Sequence, residues 1–215
     1  MRSAQKLHEA TALARAYNLL GHISRLRGNS TEAIGYFEQA LDLYKQAGHV
    51  RGEATTHNLI AYACLYTGQL RYGEQHGRLA RDMFDKVGDV YNRAFADNNL
   101  GEILLKRGDL DGALTAYREA LRALEHIGGS SYVLGALHNN LGATYIRRGD
   151  FAAAREHLRA AQDYFEQAQA RDFLPEMHCH LAAAALLAGE LSAAEEQSRQ
   201  AVKLAREMEM RGEEG

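Results

Sequence analysis

The sequence predicts an all-α protein, a right-handed α-solenoid of five helix-turn-helix repeats. Three observations carry this. The chain has one proline in 215 residues and is rich in Ala, Leu, Glu, Arg and Gln, which favours helix and leaves little of the turn chemistry that sheets need. Gly28, Gly68, Gly108, Gly149 and Gly189 recur at steps of 40, 40, 41 and 40 residues. Three further series keep that step: Leu20, Ile60, Leu100, Leu141 and Leu181; Ala33, Gly73, Ala113, Ala154 and Ala194; Ala40, Ala80, Ala120, Ala161 and Ala201. Four series in register define a repeat array.

The repeats fall at about 11–50, 51–90, 91–130, 131–171 and 172–211 of a single array over 1–215. Each reads as two helices around the loop glycine. In the third repeat, Ala94 to Arg107 carries Leu100, Ile103, Leu104 and Leu105 on one broad face. After Gly108-Asp109, the stretch Asp111 to Glu125 spaces Leu114, Tyr117, Ala120, Leu121 and Leu124 as a second amphipathic helix. His126-Ile127-Gly128-Gly129 closes the pair with a glycine able to take the left-handed cap geometry. The one extra residue of the fourth step falls in Gly128 to Ser131, a connection that absorbs length cheaply. In the fifth repeat Ser192 and Glu195 have the spacing of a capping box. Gly21, Ala61, Gly101, Gly142 and Ala182, mid-way along the first helices, let the second helices approach closely. The second repeat carries Gly73 and Gly77 where the others carry Ala and mostly a larger residue, and is expected to be the loosest pair.

Tyr17-x2-Leu20-Gly21, Gly28, Ala33-x3-Phe37 and Ala40 in the first repeat resemble the tetratricopeptide repeat (TPR). So do Leu100-Gly101, Gly108, Ala113-x3-Tyr117 and Ala120 in the third, and Leu141-Gly142-x2-Tyr145, Gly149, Ala154 and Ala161 in the fourth. The resemblance covers residues 11–210. The repeats exceed the family's usual length of about 34 residues and lack its terminal proline. That resembles the long-repeat branch of kinesin light chains, Pins-type adaptors and the TPR arms of bacterial signalling ATPases.

The resemblance implies a protein-interaction scaffold whose first helices line a concave groove. On those helices Asn18, Asn58, Asn98, Asn99, Asn139 and Asn140 recur at matching positions. A carboxamide both donates and accepts, so such a row can hold the backbone of an extended peptide. It can equally tie neighbouring helices together, and the two roles are compatible. Tyr62, Tyr66 and Phe95 add aromatic surface. Arg15, Arg25, Lys106 and Arg147 add positive charge for an acidic partner, although cations near helix C-termini also serve the macrodipole. Asparagine stands where a chaperone-tail clamp would need lysine, so that partner is not expected.

No enzyme, cofactor or metal is expected. Residues two apart on a helix point to nearly opposite faces, so His178 and His180 cannot share an ion. His57, His138 and His178 occupy the family's first aromatic position, as packed imidazoles. Gly128-Gly129-Ser130-Ser131 lacks the lysine of a phosphate loop. The net charge of −3 argues against nucleic acid, and no apolar run suits a membrane. Cys64 and Cys179 read as reduced thiols of a cytoplasmic protein. The last helix, Ser192 to about Met210, keeps apolar groups, and Arg211-Gly212-Glu213 repeats Arg51-Gly52-Glu53. A sixth repeat is therefore expected to follow, making this a segment of a longer regulator. Alternatively the array is an intramolecular sensor arm, or it self-associates as a homodimer through its C-terminal repeat.

Overall fold

A computed structural model describes the backbone of residues 2–213 and the side chains of residues 6–209. Among the described residues there are ten α-helices: α1 (Arg2–Leu26), α2 (Ser30–Ala47), α3 (Val50–Thr67), α4 (Leu70–Lys86), α5 (Val90–Lys106), α6 (Leu110–Ile127), α7 (Ser131–Arg148), α8 (Phe151–Gln167), α9 (Leu174–Leu187) and α10 (Leu191–Glu213). They succeed one another as five helix pairs, one per repeat, with no strand among the described residues. A 3₁₀ turn, Arg171–Phe173, leads into α9, and Pro175 sits in the first turn of that helix, where its missing N–H costs nothing. The chain packs as two compact units that part after Ala120.

Turn chemistry sets the pairs. The five loop glycines adopt φ between 74° and 84°, which a side chain would resist. Between pairs a second set does the same work: Gly48, Gly88 and Gly128 have φ of 64°, 66° and 72°. In the fourth repeat that position is Gln169, held at φ 54°. Asp89, Asp109 and Asp150 cap the helices that follow them, each accepting from the N–H three residues on at 2.9 to 3.2 Å. The capping box expected at Ser192 does not form. Helix α10 begins one residue earlier, with the Ala194 N–H bonded to the Glu190 carbonyl, and Glu195 instead accepts from Arg199.

In the first compact unit, Ala33, Ile34, Phe37 and Leu41 of α2 pack against Ile60, Ala63 and Cys64 of α3. Ala80 and Phe84 of α4 pack with Ala54 and Ala96. In the second, Leu158, Ala161 and Phe165 of α8 meet Leu174, Met177 and Leu181 of α9. Burying one such large side chain stabilises the fold by about 1.5–3 kcal/mol. Small residues permit the contact. A Cβ at Gly101 would lie 2.7 Å from the Tyr117 ring, and one at Gly142 would lie 2.5 Å from Leu158 Cγ. The second repeat is as close as these. A Cβ at Gly73 would come within 2.7 Å of Cys64 Cβ, so the glycine there marks tight approach, and Leu100 packs over Gly77 in place of an aromatic.

Candidate functional site

The first helices bring four of the six asparagines into bonds between successive repeats. In the first compact unit, Asn18 Nδ2 donates to Thr56 Oγ1 at 3.0 Å, and Asn99 Nδ2 donates to Asn58 Oδ1 at 2.9 Å. In the second, Asn139 Oδ1 lies 3.0 Å from His180 Nδ1. These bonds span 38, 41 and 41 residues. Asn99 is buried, while Asn18, Asn58, Asn98, Asn139 and Asn140 are half-buried. Among the described residues the Nδ2 groups of Asn58 and Asn139 have no bond, which leaves a free donor on an otherwise fixed side chain.

The aromatic and cationic residues separate into two sets. Tyr62 and Tyr66 meet through their hydroxyls at 2.8 Å, with rings 5.3 Å apart, and Arg25 stacks over the Tyr62 ring at 5.1 Å. The hydrogen bond with Tyr62, helped by burial, raises the Tyr66 phenol to about 12. Tyr66 is 62% exposed. Phe95 packs on Tyr91 at 4.9 Å. Lys106 and Arg147 are exposed at the ends of their helices.

The histidines expected as packed imidazoles have partners that sequence reading missed. His57 bonds His76 between Nδ1 atoms at 2.9 Å, His138 bonds His157 at 3.0 Å, and His178 bonds Gln197 at 2.8 Å, each nineteen residues on. Tyr17 and Tyr36 stack at the same separation in the first repeat. Burial, then the neighbouring histidine, lowers His57 and His138 to about 4. In the third repeat the matching residues are Asp97 and Ala116. Asp97 is fully buried with neither carboxylate oxygen bonded, and burial raises it to about 7. A spacing of nineteen between polar residues was the available signal. His178 and His180 bond different helices, α10 and α7. Among the described residues, no three His, Cys, Asp or Glu groups gather as metal ligands.

Two pockets accompany these rows. One of about 660 Å³ lies in the second compact unit between α8, α9 and α10, lined by Gln162, Gln169, His178, Gln197 and Gln200 among others. The other, about 550 Å³, lies in the first compact unit where the α1–α2 turn meets the end of α3. No described helix is long and apolar enough to cross a membrane.

Comparison with known proteins agrees with this architecture. Three solved structures share the fold at low identity. TPR-like repeats of a kinesin light chain from Podosopora anserina superpose with a TM-score of 0.78 at 15% identity, over 94% of this chain and 98% of that one. Aspartyl phosphate phosphatase F from Bacillus subtilis gives 0.81 at 13%, over 96% of this chain and 54% of that one. A Rap protein complexed with Competence and Sporulation Factor gives 0.78 at 19%, over 90% and 54%. The chain thus spans about half the length of the last two. No curated protein matches the sequence. The family described as the MalT-like TPR region matches residues 17–212, and with nearly the whole chain covered, this protein belongs to that family.

Proposed function

We propose that the protein is an interaction scaffold that binds an extended peptide or a helix of a partner protein along its first helices. The observation that carries this reading is the free Nδ2 of Asn58, held by the Asn99 bond on the same helix as the exposed Tyr62–Tyr66 pair. A fixed amide donor can meet a peptide carbonyl without loss of side-chain freedom, and the two phenol rings offer a face for an apolar side chain. In the second compact unit Asn139 presents the same donor, with Asn140 beside it. Asn98, Lys106 and Arg147 complete the set proposed to touch the partner. The Rap relative, whose structure contains Competence and Sporulation Factor, supports a ligand-binding use of this fold.

An intramolecular arm of a larger regulator uses the same surface, with the partner in the same chain. A homodimer through the C-terminal repeat has less to bury. Glu195, Ser198, Val202 and Ala205 of α10 stand where α2 carries Ile34, Phe37, Leu41 and Tyr44. Selection of random peptides against the purified chain tests the proposal. Selected peptides should lose binding to Asn58→Ala and Tyr66→Ala, each checked for unchanged helicity. Peptides that bind both variants as well as the parent would overturn it.

A further inference from the structure

Aligning the repeats exposes two polar residues at places that elsewhere are apolar. Arg25 stands in register with Leu65, Leu105, Ile146 and Leu186. Ser30 stands in register with Leu70, Leu110, Phe151 and Leu191. In the second repeat that pair, Leu65 and Leu70, joins one apolar cluster with Ile103. In the first repeat both partners of the contact are replaced together, and a pocket of about 550 Å³ opens where the leucine side chains would be, lined by Arg25, Ser30, Thr31, Tyr66, Thr67 and Gln69.

Two polar atoms of this pocket's residues have no partner among the described residues. Ser30 is 8% exposed. Arg25 Nε and Thr67 Oγ1 are both buried without a partner. Leaving buried donors unpaired is costly, so a repeat that could have kept two leucines carries this cost for a ligand. Among the described residues Arg25 makes no ion pair, and its guanidinium stacks on the face of Tyr62. The helix α2 begins at Ser30 itself, and its N-cap, Asn29, makes no side-chain cap bond. The free amides of its first turn therefore join the donors, where the helix favours negative charge. No carboxylate lines the pocket. Two acidic groups stand near it: Glu102, which acts on Tyr66, and Glu32 in the first turn of α2.

We infer that this pocket binds a phosphoryl group. Polar side chains line it from α1, α2 and α3, which suits a tetrahedral oxyanion with acceptors in all directions better than a planar carboxylate. The volume leaves room for a substituent, and the exposed Tyr66 ring lies at its edge. The pocket shares Tyr66 with the peptide surface proposed above, but its reading rests on Arg25 and Ser30 and not on that proposal.

Titration of the purified chain with inorganic phosphate, phenyl phosphate and benzoate, at constant ionic strength in chloride, tests this. Calorimetry and the nitrogen-15 signal of Arg25 Nε–H are the readouts. Phosphate and phenyl phosphate should both bind and shift that signal, with benzoate weaker. Tighter binding of phenyl phosphate would identify a phosphorylated small molecule as the ligand, and equal binding would identify free phosphate. The double variant Arg25→Leu with Ser30→Leu restores the pair found in the second repeat. It should melt at higher temperature than the parent and lose phosphate affinity by about tenfold or more, the weight of one charge-assisted hydrogen bond. Arg25→Met alone should lose affinity without that gain in melting temperature. Undiminished binding by either variant, no binding by the parent, or equal binding of benzoate would overturn the inference.

Discussion

The Nδ1 atoms of His57 and His76 lie 2.9 Å apart inside the second repeat, so one imidazole donates to the other and both are neutral. His138 and His157 repeat the arrangement. Burial lowers His57 and His138 to about 4, whereas an unfolded histidine takes its proton near 6.5. The stabilisation is complete above pH 6.5 and is lost as pH falls from there through 4. Each pair should contribute on the order of 2 kcal/mol at neutral pH that vanishes over this window. Urea unfolding between pH 7 and 4 should show the loss, and His138→Phe should flatten it. An unchanged slope in that variant would remove the pair from the account.

Asp97 acts in the opposite direction. Its carboxyl remains protonated in the folded protein up to about pH 7, while the unfolded chain releases that proton near 3.8. Stability contributed by this group is present below 3.8 and lost as pH climbs through 7, by on the order of 3 kcal/mol. Asp97→Asn should therefore raise stability at pH 8 and leave it nearly unchanged at pH 4. Measuring parent and variant side by side at both values separates this from the histidine effect. Ala116→Gln, which supplies a group matching Gln197 in register, should rescue the parent in the same way if its amide reaches the carboxyl.

Gly142 has no room for a side chain, since an added Cβ would sit 2.5 Å from Leu158 Cγ. Gly142→Ala should destabilise the second compact unit by about 1–3 kcal/mol, the usual cost of overpacking. Thermal melts of the variant, and of Gly142→Ala combined with Leu158→Ala, distinguish overpacking from backbone strain, because only the former is relieved by the second change.

Gln169 holds a left-handed backbone where three other repeats place glycine. Gln169→Gly should stabilise the chain by roughly 0.5–1 kcal/mol, since the Cβ strain of that conformation is relieved. A melting temperature that falls would show that the Gln169 side chain, which lines the larger pocket, contributes more than its backbone costs.

The pairing of helices could be read from the chain because glycine and alanine leave a periodic trace whose physical cause is local. The row of asparagines was visible for the same reason. Their partners were not, because register shows which residues are equivalent and not which ones face each other. Asn18 meets Thr56 two residues before the equivalent Asn58, whereas Asn99 meets Asn58 one residue beyond the equivalent Asn98. Asp97 gave no signal either. A carboxylate on a helix ordinarily lies in solvent, and only the packing of neighbouring helices shows this one to be enclosed. Arg25 looked like a helix-end cation until its place was compared with Leu65 and Ile146. The Ser192 cap failed because α10 already begins at Leu191, which places Ser192 inside the first turn and not at its cap.

The asparagine bonds that join successive first helices close spans of 38 to 41 residues. During synthesis, each of these links has its partner available once roughly one further repeat has left the ribosome. The growing chain never has to wait for its far end to satisfy them. A folding order that follows the direction of translation comes with the pattern, since contacts of short sequence separation form early and domains assemble from the N-terminus as they emerge.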